Sequence, residues 1–208
     1  MTDNAFKAKD IGLRAQKKIL SRMASKNIAK VFIDETTASL LDNVYRLTKQ
    51  QYGSKKDAEK LVKNIIKIVI KIGKLIDFMM NNFDANESFI FFTAILQKNN
   101  CFTEDETKKT DTFFKKFLKL QMSIISFFEV DFSFDLTYLQ KLISEIHQLL
   151  KDIVRNHLTD KSLARIDEIF ESLNNPQFLE SIFRHDGPHK EVMGKICEDL
   201  NKILEQNE

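Results

Sequence analysis

Five lysines, Lys60, Lys63, Lys67, Lys71 and Lys74, recur at spacings of 3, 4, 4 and 3. On an α-helix that spacing gathers their ammonium groups into an arc of roughly 80°. Between them stand Leu61, Val62, Ile65, Ile66, Ile68, Val69, Ile70 and Ile72, so the same helix is apolar around most of its girth and must be buried there. A line of ammonium donors on such an element meets water, an acidic neighbour or an anionic ligand such as phosphate. Two readings stay open: a solvated face, or a grip in which Lys67 and Lys71 hold phosphate or a carboxylate. Upstream, Lys7, Arg14, Lys18 and Arg22 share one side of an amphipathic segment near residues 5–24, with Lys17 beside Lys18, and Leu13, Ile19, Leu20 and Met23 occupy the other. A basic amphipathic helix suits a membrane surface, a protein partner or plain packing.

Other chemistry-bearing residues form weaker patterns. His185-Asp186-Gly187-Pro188-His189 offers two histidines at i, i+4, but Gly-Pro breaks the helix that would align them, and no third ligand is placed; an exposed turn is expected. His147 and His157 read as helix-surface or packing residues. Glu129, Asp131 and Asp135 resemble a carboxylate pair for acid–base work, yet each serves equally well at a helix end. Cys101 and Cys197 are too few for a disulfide scaffold and lack metal-ligand spacing. No phosphate-binding glycine loop or nucleophile motif is present. Neither an enzyme nor a cofactor is expected.

The elements that must carry these residues are helical. Only 5 Gly and 2 Pro in 208 residues leave few turns, and no strand pattern stands out. A short helical piece is expected at 28–33, then a helix capped by Thr36 or Thr37 and punctuated by Gly53. Ser54 with Asp57 opens the lysine-striped helix, and Thr103 with Glu106 opens one running through Phe128. The core side of the latter reads Phe113, Phe117, Leu120, Ile124 and Phe128. Asp135 or Thr137 starts a helix to His157 with Leu139, Leu142, Ile146 and Ile153 inward. Thr159 caps the next, which stops before Pro176, and two more follow near 177–184 and 189–205, the last with Pro188 in its first turn. The expectation is one all-α domain over 1–208, a single bundle of seven or more helices.

Charge is divided unevenly. Residues 1–120 hold 23 Lys/Arg against 14 Asp/Glu, and residues 121–208 hold nine against 16, so an anionic partner belongs to the first part. Nucleic acid fits poorly, since neither lysine helix interleaves aromatics or carries a reading motif. Lys7, Lys9, Asp10 and Arg14 interrupt any early apolar core, and the lysines within Leu61–Met80 make a spanning helix costly. A cytosolic location is expected.

Seven segments in order resemble the tumour necrosis factor α-induced protein 8-like (TIPE) family: Ala15–Ala24, Val31–Thr36, Leu41–Arg46, Ile66–Ile72, Ser126–Phe134, His157–Ser162 and Gly194–Leu200. The resemblance spans nearly the whole chain. It implies a helical bundle with a death-effector-like topology run in mirror order, around an apolar cavity. It also implies a cytoplasmic regulator of cell death, inflammation and phosphoinositide signalling, peripheral at the plasma membrane and possessed of a lipid-transfer role. In that reading Lys17 and Lys18, with Arg14 and Arg22, meet the membrane, and Lys67, Lys71, Lys98 and Lys116 approach phosphoinositide head groups. Leu20, Met23, Ile65, Ile68, Ile72, Phe117, Ile124, Leu142 and Ile146 are expected to line the cavity. From the residues themselves, a hollow and a filled core remain equally open.

Two departures from the family pattern stand out. A family arginine falls on Phe114, with Lys115 and Lys116 adjacent. Residues 73–93 read as an insertion, either a helical extension or lid, or a translated retained intron, because Gly73-Lys74 can be encoded by a splice-donor sequence and Phe91–Ala94 by an acceptor. Magnitudes divide the labour: each cation near an anionic leaflet contributes about 1 kcal/mol, and each buried CH₂ about 0.8 kcal/mol. Charge should therefore orient the ligand and the cavity retain it. The rival expectation is a protein-interaction adaptor in cell-death control, with a solid core and no lipid ligand.

Overall fold

A computed structural model describes residues 9–22, 34–80, 103–130 and 133–205. These hold eight helices: α1 (Lys9–Arg22), α2 (Glu35–Tyr52), α3 (Lys55–Met80), α4 (Glu104–Glu129), α5 (Leu136–Val154), α6 (Asp160–Leu173), α7 (Pro176–Ile182) and α8 (Lys190–Glu205). No strand occurs among the described residues, and none of the described helices is long and apolar enough to cross a membrane. The short piece expected at 28–33 and most of 73–93 lie outside them; residues 73–80 are the last turns of α3.

Helix ends follow local hydrogen bonding. α2 is capped by Asp34, not by Thr36 or Thr37 as the spacing suggested: Asp34 Oδ1 accepts from Thr37 N at 2.7 Å, and Asp34 N donates back to Thr37 Oγ1 at 2.8 Å. A carboxylate is the better acceptor at the positive end of a helix. Gly53, at φ 61°, ends α2 in the left-handed region that glycine enters without penalty. Thr103 and Glu106 form the expected capping box, and Asp135 Oδ1 caps α5 through Tyr138 N at 2.9 Å. Pro188 stands outside α8; Pro176 is the proline in a first helical turn.

The helices close a ring. α2 packs on α3, α3 on α6, α6 on α5, α5 on α4, α4 on α8, and α8 returns to α2, while α1 lies across α2 and α3 and α7 across α2 and α5. Three buried clusters form. One joins Ile11, Ala15 and Ile19 of α1 to Tyr45, Ala58, Val62 and Ile66. A second gathers Leu139, Ile143, Phe178, Ile182, Met193 and Ile196. The third sets Leu61 and Ile68 of α3 against Ile153, Val154, Ile166 and Ile169.

α1 is seated by its smallest residues. Gly12 N donates to Asp42 Oδ1 at 2.8 Å, and a Cβ on Gly12 would lie 2.5 Å from the Ala38 carbonyl oxygen. Backbone cannot yield there, so the inner face is Ile11-Gly12-Ala15-Ile19, and Leu13, expected inside, is 47% exposed. Gly12→Ala is expected to lower stability by about 1–3 kcal/mol and to speed trypsin cleavage at Lys17 and Lys18. An unchanged melting temperature and cleavage rate would contradict this seating.

His185, Asp186 and Pro188 stand in the expected exposed turn, but His189 does not. Its ring is 3% exposed, with Nδ1 3.2 Å from Gln50 and Nε2 3.1 Å from Gln51 of α2. Burial lowers its pKa below the ordinary histidine value. The unfolded chain takes up the proton near pH 6.5 and the folded chain only at lower pH, so stability rises with pH through that window. The contribution is complete above about pH 6.5 and fades as pH falls toward the folded value. Urea melts of wild type and His189→Gln should therefore diverge above that pH and converge below it; a constant difference would show that His189 does not titrate in this way.

Candidate functional site

The lysine stripe of α3 divides in two. Lys60 Nζ lies 3.0 Å from Glu168 Oε2 on α6, and Lys63 Nζ 3.1 Å from Glu59 Oε2. The hydrogen bond from Lys60 holds the Glu168 carboxyl below the usual range. Lys71, about two helical turns beyond Lys63, has no carboxylate partner among the described residues. Its Nζ donates to Ser162 Oγ at 2.5 Å and lies 3.5 Å from Thr159 Oγ1. Thr159 is the N-cap residue of α6, yet its hydroxyl makes no cap bond. A cation at the positive end of a helix is unfavourably placed unless an anion joins it. Lys67 and Lys74, exposed on either side of Lys71, have no partner among the described residues.

The other basic positions scatter. Lys116 Nζ donates to Glu145 Oε2 at 2.7 Å, a bond that holds the Glu145 carboxyl below its usual range and neutralises the lysine. Lys119 sits 5.4 Å above the Tyr138 ring. Phe114 packs edge-on against Phe113 in the third cluster, leaving no room for a cation's role. Arg14, Lys17, Lys18 and Arg22 are exposed on α1, together with Leu13. Lys98 and Met23 lie outside the described residues.

The inner faces of α3 and α4 carry an unexpected pattern. On α3, Leu61 and Ile68 flank one side of the buried arc and Val62 and Ile66 the other, all buried. Ile65, Val69 and Ile72 fall between them, where burial should be deepest, yet all three are only half-buried. α4 repeats this. Phe117 lies mid-arc between Phe113 and Ile124 on one side and Thr110 and Gln121 on the other, stacked on Phe113 at 5.8 Å, and is 37% exposed. The core position read for Phe117 is therefore right in direction and wrong in burial. Of the remaining expected lining residues, Ile68, Leu142 and Ile146 are fully buried, while Leu20 and Ile124 are half-buried against the first and second clusters.

Gln121 escaped the sequence reading. It is a polar residue set one turn from Phe117 within an apolar arc, and that mismatch was the available signal.

Titratable groups elsewhere are structural. Burial pushes Glu106 up, but hydrogen bonds from Thr103 N, Asn156 and the Thr103 hydroxyl, with His157 nearby, bring it below the usual range and tie α4 to the end of α5. Burial likewise pushes Asp167 up, but hydrogen bonds from Lys151 and His147 outweigh it and hold the carboxyl below its usual range; His147 stacks on Phe170 at 4.6 Å. Burial first, then Glu129 and Glu198, push the Cys197 thiol up to about 12, which leaves it unreactive. No group of three His, Cys, Asp or Glu among the described residues could hold a metal ion. A groove of about 880 Å³ between α1, α2 and α8 is lined by Leu13, Ala38, Asp42, Arg46, Lys195 and Asp199 among others, with charged groups of both signs along it.

Comparison with known proteins covers the whole chain. A family model described as tumor necrosis factor alpha-induced protein 8-like matches residues 6–91 and 90–207, its two segments meeting inside the stretch 73–93. The protein salivary glands marred of Drosophila melanogaster is 56% identical over 205 residues, covering 99% of this chain and 98% of its own. A tumor necrosis factor alpha-induced protein 8-like protein of Drosophila pseudoobscura pseudoobscura is 55% identical over the same length. Human tumor necrosis factor alpha-induced protein 8 is 36% identical over 203 residues, covering 98% and 92%.

Proposed function

The chain belongs to the tumor necrosis factor alpha-induced protein 8-like family, and on that premise we propose that it is a cytoplasmic, non-enzymatic regulator of cell death and inflammation that works by binding phosphoinositides. In this reading the ring of helices surrounds an apolar hollow that takes the acyl chains, and the mirror-order death-effector topology is the frame of that hollow. The basic face of α1 rests on an anionic membrane, and lipid transfer between membrane and signalling enzymes follows from withdrawing the chains.

One observation carries the reading. Ile65, Val69 and Ile72 hold the centre of the buried arc of α3 but remain reachable by solvent while Leu61, Val62, Ile66 and Ile68 beside them are buried, and Phe117 at the centre of the α4 arc is more exposed than Thr110, Phe113, Gln121 and Ile124 around it. A solid core produces the opposite gradient, because central positions are the most enclosed. Electrostatics support it: Lys71 reaches the start of α6, whose N-cap hydroxyl makes no cap bond, and Lys67 and Lys74 stand near it on the same helix, where phosphate oxygens would accept from ammonium and backbone N–H alike. Lys116 contributes less, being held by Glu145.

Sedimentation with vesicles of neutral lipid, with and without a phosphoinositide, tests the proposal. Binding should rise with the phosphoinositide and fall with salt. An adaptor that recognises only proteins would ignore the added lipid, and that result would remove this function.

A further inference from the structure

Gln121 is 9% exposed, on the inner face of α4 one turn from Phe117, and its side-chain amide makes no hydrogen bond to any described residue. Neither amide atom belongs to the unpartnered atoms sealed completely inside the protein, so solvent reaches the amide. Thr110, on the same face, satisfies its hydroxyl on the Glu106 carbonyl at 2.8 Å; Gln121 has no such local solution. An amide this enclosed, with no protein partner, has only water for its bonds, and a ligand that displaces the water must supply a bond in its place.

We infer that Gln121 is a specificity-determining residue for the occupant of the hollow: its NH₂ donates to an ester carbonyl of an acyl lipid. The inference rests on the lipid reading above and deepens it by naming the part of the ligand recognised. Glycerol esters carry acceptors and no donors, so the amide nitrogen is the group they require. Phe117 and Gln121 are about 6 Å apart along α4, so a lipid entering past the exposed ring brings its ester region, which lies between phosphate and tails, to the amide. An ether-linked lipid of the same length and head group lacks the carbonyl and leaves the amide unsatisfied.

The test uses the full chain and two soluble probes, a dioctanoyl phosphoinositide and its dialkyl ether analogue. Wild type should bind the ester about three- to tenfold more tightly, the factor expected of one neutral hydrogen bond. Gln121→Leu, similar in size and apolar, should bind both equally and melt no lower than wild type; Gln121→Met serves as a second variant should leucine fold poorly. Ester preference that survives in the variants would overturn the inference alone, since the amide would then hold only water. Failure of wild type to bind either probe would overturn the lipid reading and this inference with it.

Discussion

Ile65→Trp should fold and fail to hold lipid. Ile65 occupies the centre of the buried arc of α3 but is only half-buried, so an indole there extends into open space. Excluding four methylenes of an acyl chain removes about 3 kcal/mol at about 0.8 kcal/mol each, a loss of more than about a hundredfold in affinity. Ile68→Trp supplies the contrast. Ile68 is 5% exposed and locked against α5 and α6, so the same enlargement should destabilise by about 1–3 kcal/mol. Denaturant melts and lipid titrations on both variants separate the effects. Equal destabilisation by the two substitutions, with lipid affinity unchanged, would mean that Ile65 faces ordinary core.

Reversing charge at Lys17 and Lys18 should release the protein from membranes without emptying it. Both side chains are exposed on α1, Lys17 opposite Ile11, Ala15 and Ile19 and Lys18 at the edge of that face. Each cation contributes about 1 kcal/mol at an anionic surface, and replacing both with glutamate adds repulsion, so vesicle binding should fall more than about tenfold. The loss should shrink at high salt, where the wild-type attraction is itself screened. Soluble short-chain lipid should bind the double variant as tightly as wild type, because the hollow is untouched. Lys116→Glu should change vesicle binding little, since Lys116 already rests on Glu145. Vesicle binding by Lys17→Glu/Lys18→Glu equal to wild type would place the membrane surface elsewhere.

Helices were legible in the sequence because periodicity and capping residues act locally. The Thr103–Glu106 box, the Asp135 cap and Gly53 stand where hydrogen-bond chemistry puts them. Rotation of a helix about its axis was less legible. Leu13 faces out because Gly12 permits backbone contact with Ala38, a tertiary constraint that hydrophobic spacing does not carry. The lysine stripe read as one feature; partners from α6 divide it, since the groups that Lys60 and Lys71 meet lie about 90 or more positions away. His189 looked like part of an exposed turn because its partners, Gln50 and Gln51, come from α2. Hollow and solid cores use the same residues, so sequence alone does not separate them, and the proposed hollow rests on the burial gradient across Ile65, Ile72 and Phe117. Gln121 was the residue whose type contradicted its register.

Native mass spectrometry of the purified full chain tests the central claim most directly. The account predicts a species heavier than the chain by one phospholipid, lost in Ile65→Trp and restored to wild type after delipidation by adding phosphoinositide. Wild-type protein that appears only at its bare mass, and stays so after incubation with phosphoinositide, would contradict it.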